Sequence, residues 1–222
     1  MDIDYLKSVP LFKGLEANEI KSALSLLNAT EKEYPKGTIL LHTGSKTAQM
    51  GLVLSGSVTI EINDYWGGRT ILSHVGKGQF FAETYAMLED ELMLVDVKAN
   101  EDCRIAFFDL KRIRYVSEQD ATIRRKLTEN ILMISMHKNL ILSERSFHTS
   151  PKTIRDRVLS YLNTVSLQKG GPEFDIPFDR QQLADYLNVE RTALSKELGR
   201  MQRDGYFRFR KNHFVIIKAP ED

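Results

Sequence analysis

The side chains with the clearest chemical purpose are Arg191, Thr192, Ser195 and Lys196, which recur at helical spacing and so share one side of a helix. They are long cations and hydroxyl donors, the groups that reach phosphate oxygens and base edges. Their apolar neighbours Ala193, Leu194, Leu198 and Met201 occupy the other side. Arg180 precedes this helix, Arg200 lies further along it, and Arg208 and Lys211 follow it. No comparable pattern points to catalysis. His42, His74, His137, His148 and His213 are scattered, with no His-x-His pair for a metal-holding barrel enzyme. Gly76-Lys77-Gly78 lacks the loop and the following Ser or Thr of a phosphate cradle. The single cysteine, Cys103, excludes an internal disulfide and a four-cysteine iron–sulfur cluster. Isolated histidines do not make a case for haem. The expectation is therefore a non-enzyme with no metal and no cofactor.

The elements that must position these groups are two helices at a tight corner. Asp179 is the expected N-cap of the first, whose Leu183, Ala184 and Leu187 form an apolar face. Asn188 tolerates the left-handed conformation of a sharp turn, and a second helix starts near Glu190. Asp204-Gly205 closes it, with Gly205 at the C-cap position. Two β-prone runs then flank Lys211-Asn212-His213, a hairpin of the kind called a wing. The whole is a helix-turn-helix whose second helix fits the DNA major groove. The alternative is two ordinary amphipathic helices and a plain edge hairpin.

Charge supports the first reading. Between Glu190 and Lys218 there are eight Lys or Arg against three Asp or Glu, in a chain of 222 residues with a formal net charge of only +1. No apolar run approaches the length of a membrane span, and the opening MDIDYLKSVPLF lacks the pattern of a signal peptide. A cytoplasmic location and no membrane partner are expected.

Upstream, residues 4–33 read as helical, ended by Pro35. From about Tyr34 to Phe108 short β-prone runs are punctuated by glycine, including the turn Asp64-Tyr65-Trp66-Gly67-Gly68-Arg69. A long helix follows, from about Gln119 to Arg145. Ile123, Leu127, Asn130, Ile134, His137 and Ile141 form a stripe of period 3.5, which suits a coiled-coil seam with a second copy of the chain. The same stripe could pack on the chain's own barrel, and Leu132, Met133, Met136, Leu140 and Leu142 lie off it. His148-Thr149-Ser150-Pro151 reads as a hinge, with Ser150 or Thr149 capping the next helix, Pro151 to Leu167. The expected fold is α+β: an antiparallel β-barrel over 1–118, a dimerisation helix and hinge over 119–147, and a winged helix-turn-helix over 148–222.

That order of parts resembles the cAMP receptor protein/fumarate-nitrate regulator (CRP/FNR) family of bacterial transcription factors. The resemblance covers essentially the full length. It is carried by VPLFKGL, YPKGTILLHTG, GLVLSGSVTI, KGQFFAETYAML and DRQQLADYLNVERTALSKELGRMQRDGYF. It implies a jelly-roll barrel like that of cyclic-nucleotide-binding domains and a homodimer whose DNA affinity is set by a small molecule or other signal. It also implies palindromic double-stranded DNA as a partner, with RNA polymerase nearby. Bases are read in this family from the positions of Arg191, Thr192, Ser195 and Lys196, with Arg191 placed for a bidentate contact to guanine. The cAMP readers carry an acidic residue at Thr192 and an arginine at Lys196, so the operator preference should differ.

The effector region departs from the pattern. Where cyclic-nucleotide binders have Gly-Glu and then Arg-Ser, this chain has Ala82-Glu83 and Met93-Leu94. An apolar pair gives a cyclic phosphate no counter-charge, so cAMP is not expected to bind in the usual way. Phe80, Phe81, Glu83, Thr84, Tyr85, Met93 and Leu94, with His137 and Lys138 from the long helix, would suit an apolar or aromatic effector. Equally, the aromatics and methionines would suit a collapsed core. A regulatory binding module of the cyclic-nucleotide type without DNA readout is the alternative function, but it leaves the winged element unexplained.

Overall fold

The structure, a computed structural model, describes residues 1–63, 66, 69–88, 90–115 and 120–217. Most of the expected turn at 64–69 lies outside the described residues, and so does the expected helix start at Gln119. The chain divides into two compact units, Met1–His137 and Lys138–Asp222. No helix of the described residues is long and apolar enough to cross a membrane.

The first unit opens with helices α1 (Ile3–Lys7) and α2 (Ala17–Leu26), separated by a 3-10 turn at Pro10–Phe12. Eight strands follow: β1 (Thr30–Tyr34), β2 (Ile39–Leu41), β3 (Gln49–Ser55), β4 (Ser57–Asn63), β5 (Arg69–Gly76), β6 (Phe80–Phe81), β7 (Asp96–Ala99) and β8 (Cys103–Asp109). They form two four-stranded antiparallel sheets, in the orders β1-β8-β3-β6 and β2-β7-β4-β5. The strands thus make two facing sheets, not a continuously closed barrel. Short helix α3 (Glu83–Met87) lies between β6 and β7.

The centre of the first sheet is buried on both faces, which is why β3 and β8 read as nearly unbroken apolar runs, while edge strand β1 is largely exposed. Strand alternation sends Val53, Phe81, Cys103, Ile105 and Phe107 toward Val58, Val75, Val97 and Ala99 of the second sheet. It sends Met50, Leu52, Phe80, Ala106 and Phe108 to the other side, onto α1, α2 and helix α4 (Ala121–Thr149).

Two expectations are corrected here. Residues 30–34 are not helical. The run Thr-Glu-Lys-Glu-Tyr favours a helix locally, but its edge pairing with β8, Thr30 opposite Phe107 through Tyr34 opposite Cys103, overrides that preference. The expected dimer stripe also turns inward. Ile123, Leu127 and Ile134, joined by Ile131, are buried in the chain's own core, and Asn130 donates to the carbonyls of Leu11 and Lys13 at 2.8 and 2.9 Å. A side chain buried within one chain is not available to a second. His137 and Ile141 are exposed. So are Met133, Met136, Leu140 and Phe147, which recur at offsets 0, 3, 7 and 14 on the side of α4 away from the buried stripe.

The second unit holds the last turns of α4, then α5 (Ile154–Lys169), β9 (Glu173–Asp175), α6 (Arg180–Tyr186), α7 (Arg191–Arg203), β10 (Phe207–Arg210) and β11 (His213–Ile216). The cap of α5 is Thr153, whose hydroxyl accepts from Asp156 N–H at 3.1 Å, and not Thr149 or Ser150. One core gathers Val158, Leu162, Phe174, Leu183, Leu194, Leu198, Met201, Phe207 and Phe214. β9 adds a third strand to the hairpin, in the order β10-β11-β9.

Candidate nucleic-acid interface and effector region

Backbone and capping hydrogen bonds fix the corner between α6 and α7. Asp179 accepts from Gln182 N–H at 2.8 Å while the Gln182 side chain accepts from Asp179 N–H at 2.9 Å, a reciprocal cap. At the other end Asn188 has φ of 53°, and the N–H groups of Asn188 and Val189 donate to the carbonyls of Asp185 and Ala184. The Glu190 carboxylate then accepts from Thr192 N–H at 2.7 Å and Ala193 N–H at 2.6 Å, and these bonds hold its carboxyl below the usual carboxylate range. Gly205, at φ of 82°, repeats the terminating motif after α7. Small Ala184 is fully buried where α6 meets α7.

Leu194, Leu198 and Met201 anchor α7 in the core, which leaves Arg191, Thr192, Ser195, Lys196, Arg200 and Arg203 exposed. Glu197 does not compete for this face. Arg155 of α5 binds it at 2.7 Å and Asp204 at 2.8 Å, which ties α5 to both ends of the second half of α7. Arg200 lies near Glu197 at a long 3.5 Å and remains exposed. In the wing, Arg208, Arg210 and Lys211 are exposed. Lys211 sits at the tip with φ of 58°, a conformation that glycine or asparagine adopts at less cost. Arg180 is different. Its guanidinium lies over the Phe209 ring at 5.0 Å, so it braces the wing against α6. Arg203, absent from the expected set, is exposed on the same side of α7 as Thr192 and Lys196.

The residues of the expected hinge, His148-Thr149-Ser150-Pro151, sit at a corner tied by hydrogen bonds to α5 and α6. His148 is 2% exposed, with Nδ1 2.8 Å from the Tyr186 hydroxyl and Nε2 2.9 Å from the Thr164 hydroxyl. Thr164 donates its hydrogen to the Ser160 carbonyl, so it accepts from Nε2–H, and Nδ1 accepts from Tyr186. Arg145 donates to the carbonyls of Tyr186 and Asp185, and Arg157 to those of Leu187, Asn188 and Pro151. Two guanidinium groups thus hold the C-terminal end of α6, where the helix dipole favours cations.

Burial pushes the His148 pKa below its ordinary 6.5, against a smaller opposite pull from Glu144. The unfolded chain then takes up a proton near 6.5 that the folded chain accepts only at lower pH. The stability that depends on neutral His148 is full above that value and declines as pH falls below it. Thermal melts of the C-terminal unit are expected to drop on mild acidification, and His148→Gln is expected to flatten that drop. An identical pH profile in both chains would show that another group carries it.

The effector region is only partly assembled. Phe80 and Phe81 point to opposite faces of the first sheet, so they cannot line one pocket, and Met93 is 1% exposed in the inter-sheet core. These three are core residues, because successive strand side chains must alternate. Glu83 is buried at the start of α3, behind Ala82, which holds φ of 62°. That left-handed conformation is one a glycine would adopt without strain. Thr84, Tyr85 and Leu94 do meet. They line an open cleft of ≈ 440 Å³ with Leu88, Asp90, Glu91 and Leu92, and Tyr85 Oη accepts from Leu94 N–H at 3.3 Å. His137 is exposed, and neither it nor Lys138 is among the residues lining the cleft. Leu94 is 69% exposed, Met93 is in the core, and the cleft carries two carboxylates, of which Asp90 pairs with Lys46. Cys103 is buried, and burial followed by Asp102 and Glu101 pushes its thiol up, away from the reactive thiolate.

The profile of the "Cyclic nucleotide-binding domain" family matches residues 31–120, and that of the "Crp-like helix-turn-helix domain" matches residues 156–222. The chain is 30% identical over 164 residues to the cAMP-activated global transcriptional regulator CRP of Haemophilus influenzae, covering 74% of this chain and 73% of that one. It is 22% identical over 214 residues to the CRP-like protein Clp of Xanthomonas oryzae pv. oryzae, covering 91% and 90%. The fold matches that of CLP from Xanthomonas campestris, a c-di-GMP responsive global regulator, with a TM-score of 0.60 at 19% identity over 92% of this chain and 100% of that one. It matches CprK complexed with OCPA with a TM-score of 0.62 at 16% identity, over 90% and 91%.

Proposed function

Because the chain belongs to the CRP/FNR family of transcription regulators, we propose that it acts as a homodimer that reads a palindromic operator with α7 of each copy. The observation that carries this reading is the exposed row of donors and cations on α7, held outward by a fully buried opposite face. Arg191, Thr192, Ser195 and Lys196 read base edges. Arg208, Arg210 and Lys211 meet phosphates from the wing, and the strained backbone at Lys211 supports that role, since a cation is retained where the turn itself favours glycine. The chain works in the cytoplasm beside RNA polymerase and performs no catalysis. Dimerisation uses the exposed row Met133, Met136, Leu140 and Phe147.

The signal enters the N-terminal unit. Its entry point is the cleft beside α3, where Leu88, Leu92 and Leu94 with Asp90 and Glu91 suit a neutral or cationic apolar molecule and repel an anion. The lack of a counter-charge at Met93-Leu94 argues against cAMP as that signal.

The test is equilibrium binding to the duplex that the full chain enriches from a random-sequence pool, measured against bulk DNA over a range of salt. Arg191→Ala is expected to lose ~1–3 kcal/mol on the enriched duplex and to relax one base position. Lys211→Ala is expected to weaken all sequences alike and to flatten the salt dependence by about one unit of slope. Adding cAMP is expected to leave every curve unmoved. Equal loss on all DNA for Arg191→Ala would reduce that residue to a phosphate contact, and failure to enrich any sequence would remove the reading altogether.

A further inference from the structure

The row of α7 that points directly away from Leu194, Leu198 and Met201 is Thr192, Lys196, Gly199 and Arg203, at offsets 0, 4, 7 and 11. Three of the four carry the donors and cations expected of a surface that meets DNA. The other has no side chain at all. We infer, on the premise that α7 enters the major groove, that Gly199 marks the closest approach of the α7 main chain to the DNA sugar–phosphate wall, and that any side chain there holds the helix out of its seat.

The ordinary reasons for a glycine are absent. Gly199 lies inside the helix and is not among the residues with positive φ, so no left-handed turn requires it. Beyond the backbone of its own helix turn and its two chain neighbours, a Cβ built at this position meets no atom within 4 Å, so no packing neighbour requires it either. Within the helix, glycine is a poorer choice than alanine for the chain's own stability. A residue that the fold disfavours and nothing inside the chain demands is explained by something outside it. The surroundings identify that partner's chemistry. Lys196, Arg200 and Arg203 stand exposed within one turn of Gly199, and Glu197 is withdrawn from the face by Arg155. The surface that approaches the Gly199 backbone is therefore anionic, as a phosphodiester strand is. Glycine permits such an approach because the main chain itself becomes the contact.

Gly199→Ala and Gly199→Gln in the full chain separate this role from a structural one, since both substituents favour a helix. Melting temperatures are expected to rise or hold. Affinity for the duplex enriched by the parent chain is expected to fall about tenfold with alanine and further with glutamine, while binding to bulk DNA at low salt, where the helix is not fully seated, changes by less than about twofold. Unchanged affinity for the enriched duplex in both variants would overturn the inference. So would a loss that tracks a lowered melting temperature, which would assign Gly199 to the fold. If the parent itself enriches no sequence, the DNA-reading assignment of α7 fails first and this inference falls with it, a result distinct from the other two.

Discussion

A chain carrying Met136→Glu and Leu140→Glu is expected to sediment as a monomer at concentrations where the parent is a dimer. Both side chains are more than half exposed on α4, Met136 at 57% and Leu140 at 57%, with Met133 and Phe147 continuing the same row. Large apolar side chains repeating at helical seam spacing on one exposed side are stable in water only at a cost that a second copy removes. Two charges forced into that seam meet their symmetric equivalents, and neither finds a partner. The expected effect is a dimer dissociation constant raised at least about a thousandfold, or ~4 kcal/mol. Operator binding is expected to collapse with it, because a monomer reaches one half-site and cannot span two successive grooves. Melting of each unit is expected to remain close to the parent's, since neither residue belongs to a core cluster. A dimer that survives both substitutions would place the interface elsewhere. Ile134→Glu is the contrasting variant: it strikes the N-terminal core and is expected to unfold that unit.

Gly51→Ala is expected to destabilise the N-terminal unit by about 3 kcal/mol while leaving the C-terminal transition in place. A Cβ on Gly51 falls 2.1 Å from Cζ of Phe81 and 2.5 Å from its two Cε atoms. The ring cannot swing aside, because Phe81 is fully buried and stands edge-on to Phe107 at 6.1 Å. The missing side chain at Gly51 leaves the space that the Phe81 ring fills on the inter-sheet face. Thermal or denaturant unfolding of the single variant, followed by the double variant Gly51→Ala/Phe81→Leu, checks the cause. A smaller side chain at 81 is expected to recover part of the loss, and an equal loss in the double variant would point to backbone strain in β3 instead.

The helix-turn-helix was legible in the sequence nearly residue by residue. Asp179 as N-cap, Asn188 in the left-handed turn, Gly205 after the second helix and the basic hairpin are all local devices, in which a side chain acts on backbone within a few residues of itself. The strands of the N-terminal unit were legible for a related reason, since period-two and unbroken apolar runs report burial directly. β1 was not, because its Glu, Lys and Glu carry helical preference and its strand exists only through pairing with residues some seventy positions later.

The sequence by itself determined which side chains α7 offers to a partner, because a helix with one apolar side has no freedom about what faces out. It did not determine which apolar residues of α4 serve the chain and which await a second copy. Two stripes of nearly equal period run along that helix, and only the placement of α1, α2 and the first sheet decided that Leu127 and Ile134 go inward while Met136 and Leu140 stay outside. The same holds for the corner at His148, where residues drawn from α4, α5 and α6 meet through hydrogen bonds, and for Phe80 and Phe81, adjacent in the chain and assigned to opposite faces by the pleat. Burial is a property of the assembled surface, and several assemblies satisfy the same local pattern until the distant elements are in place.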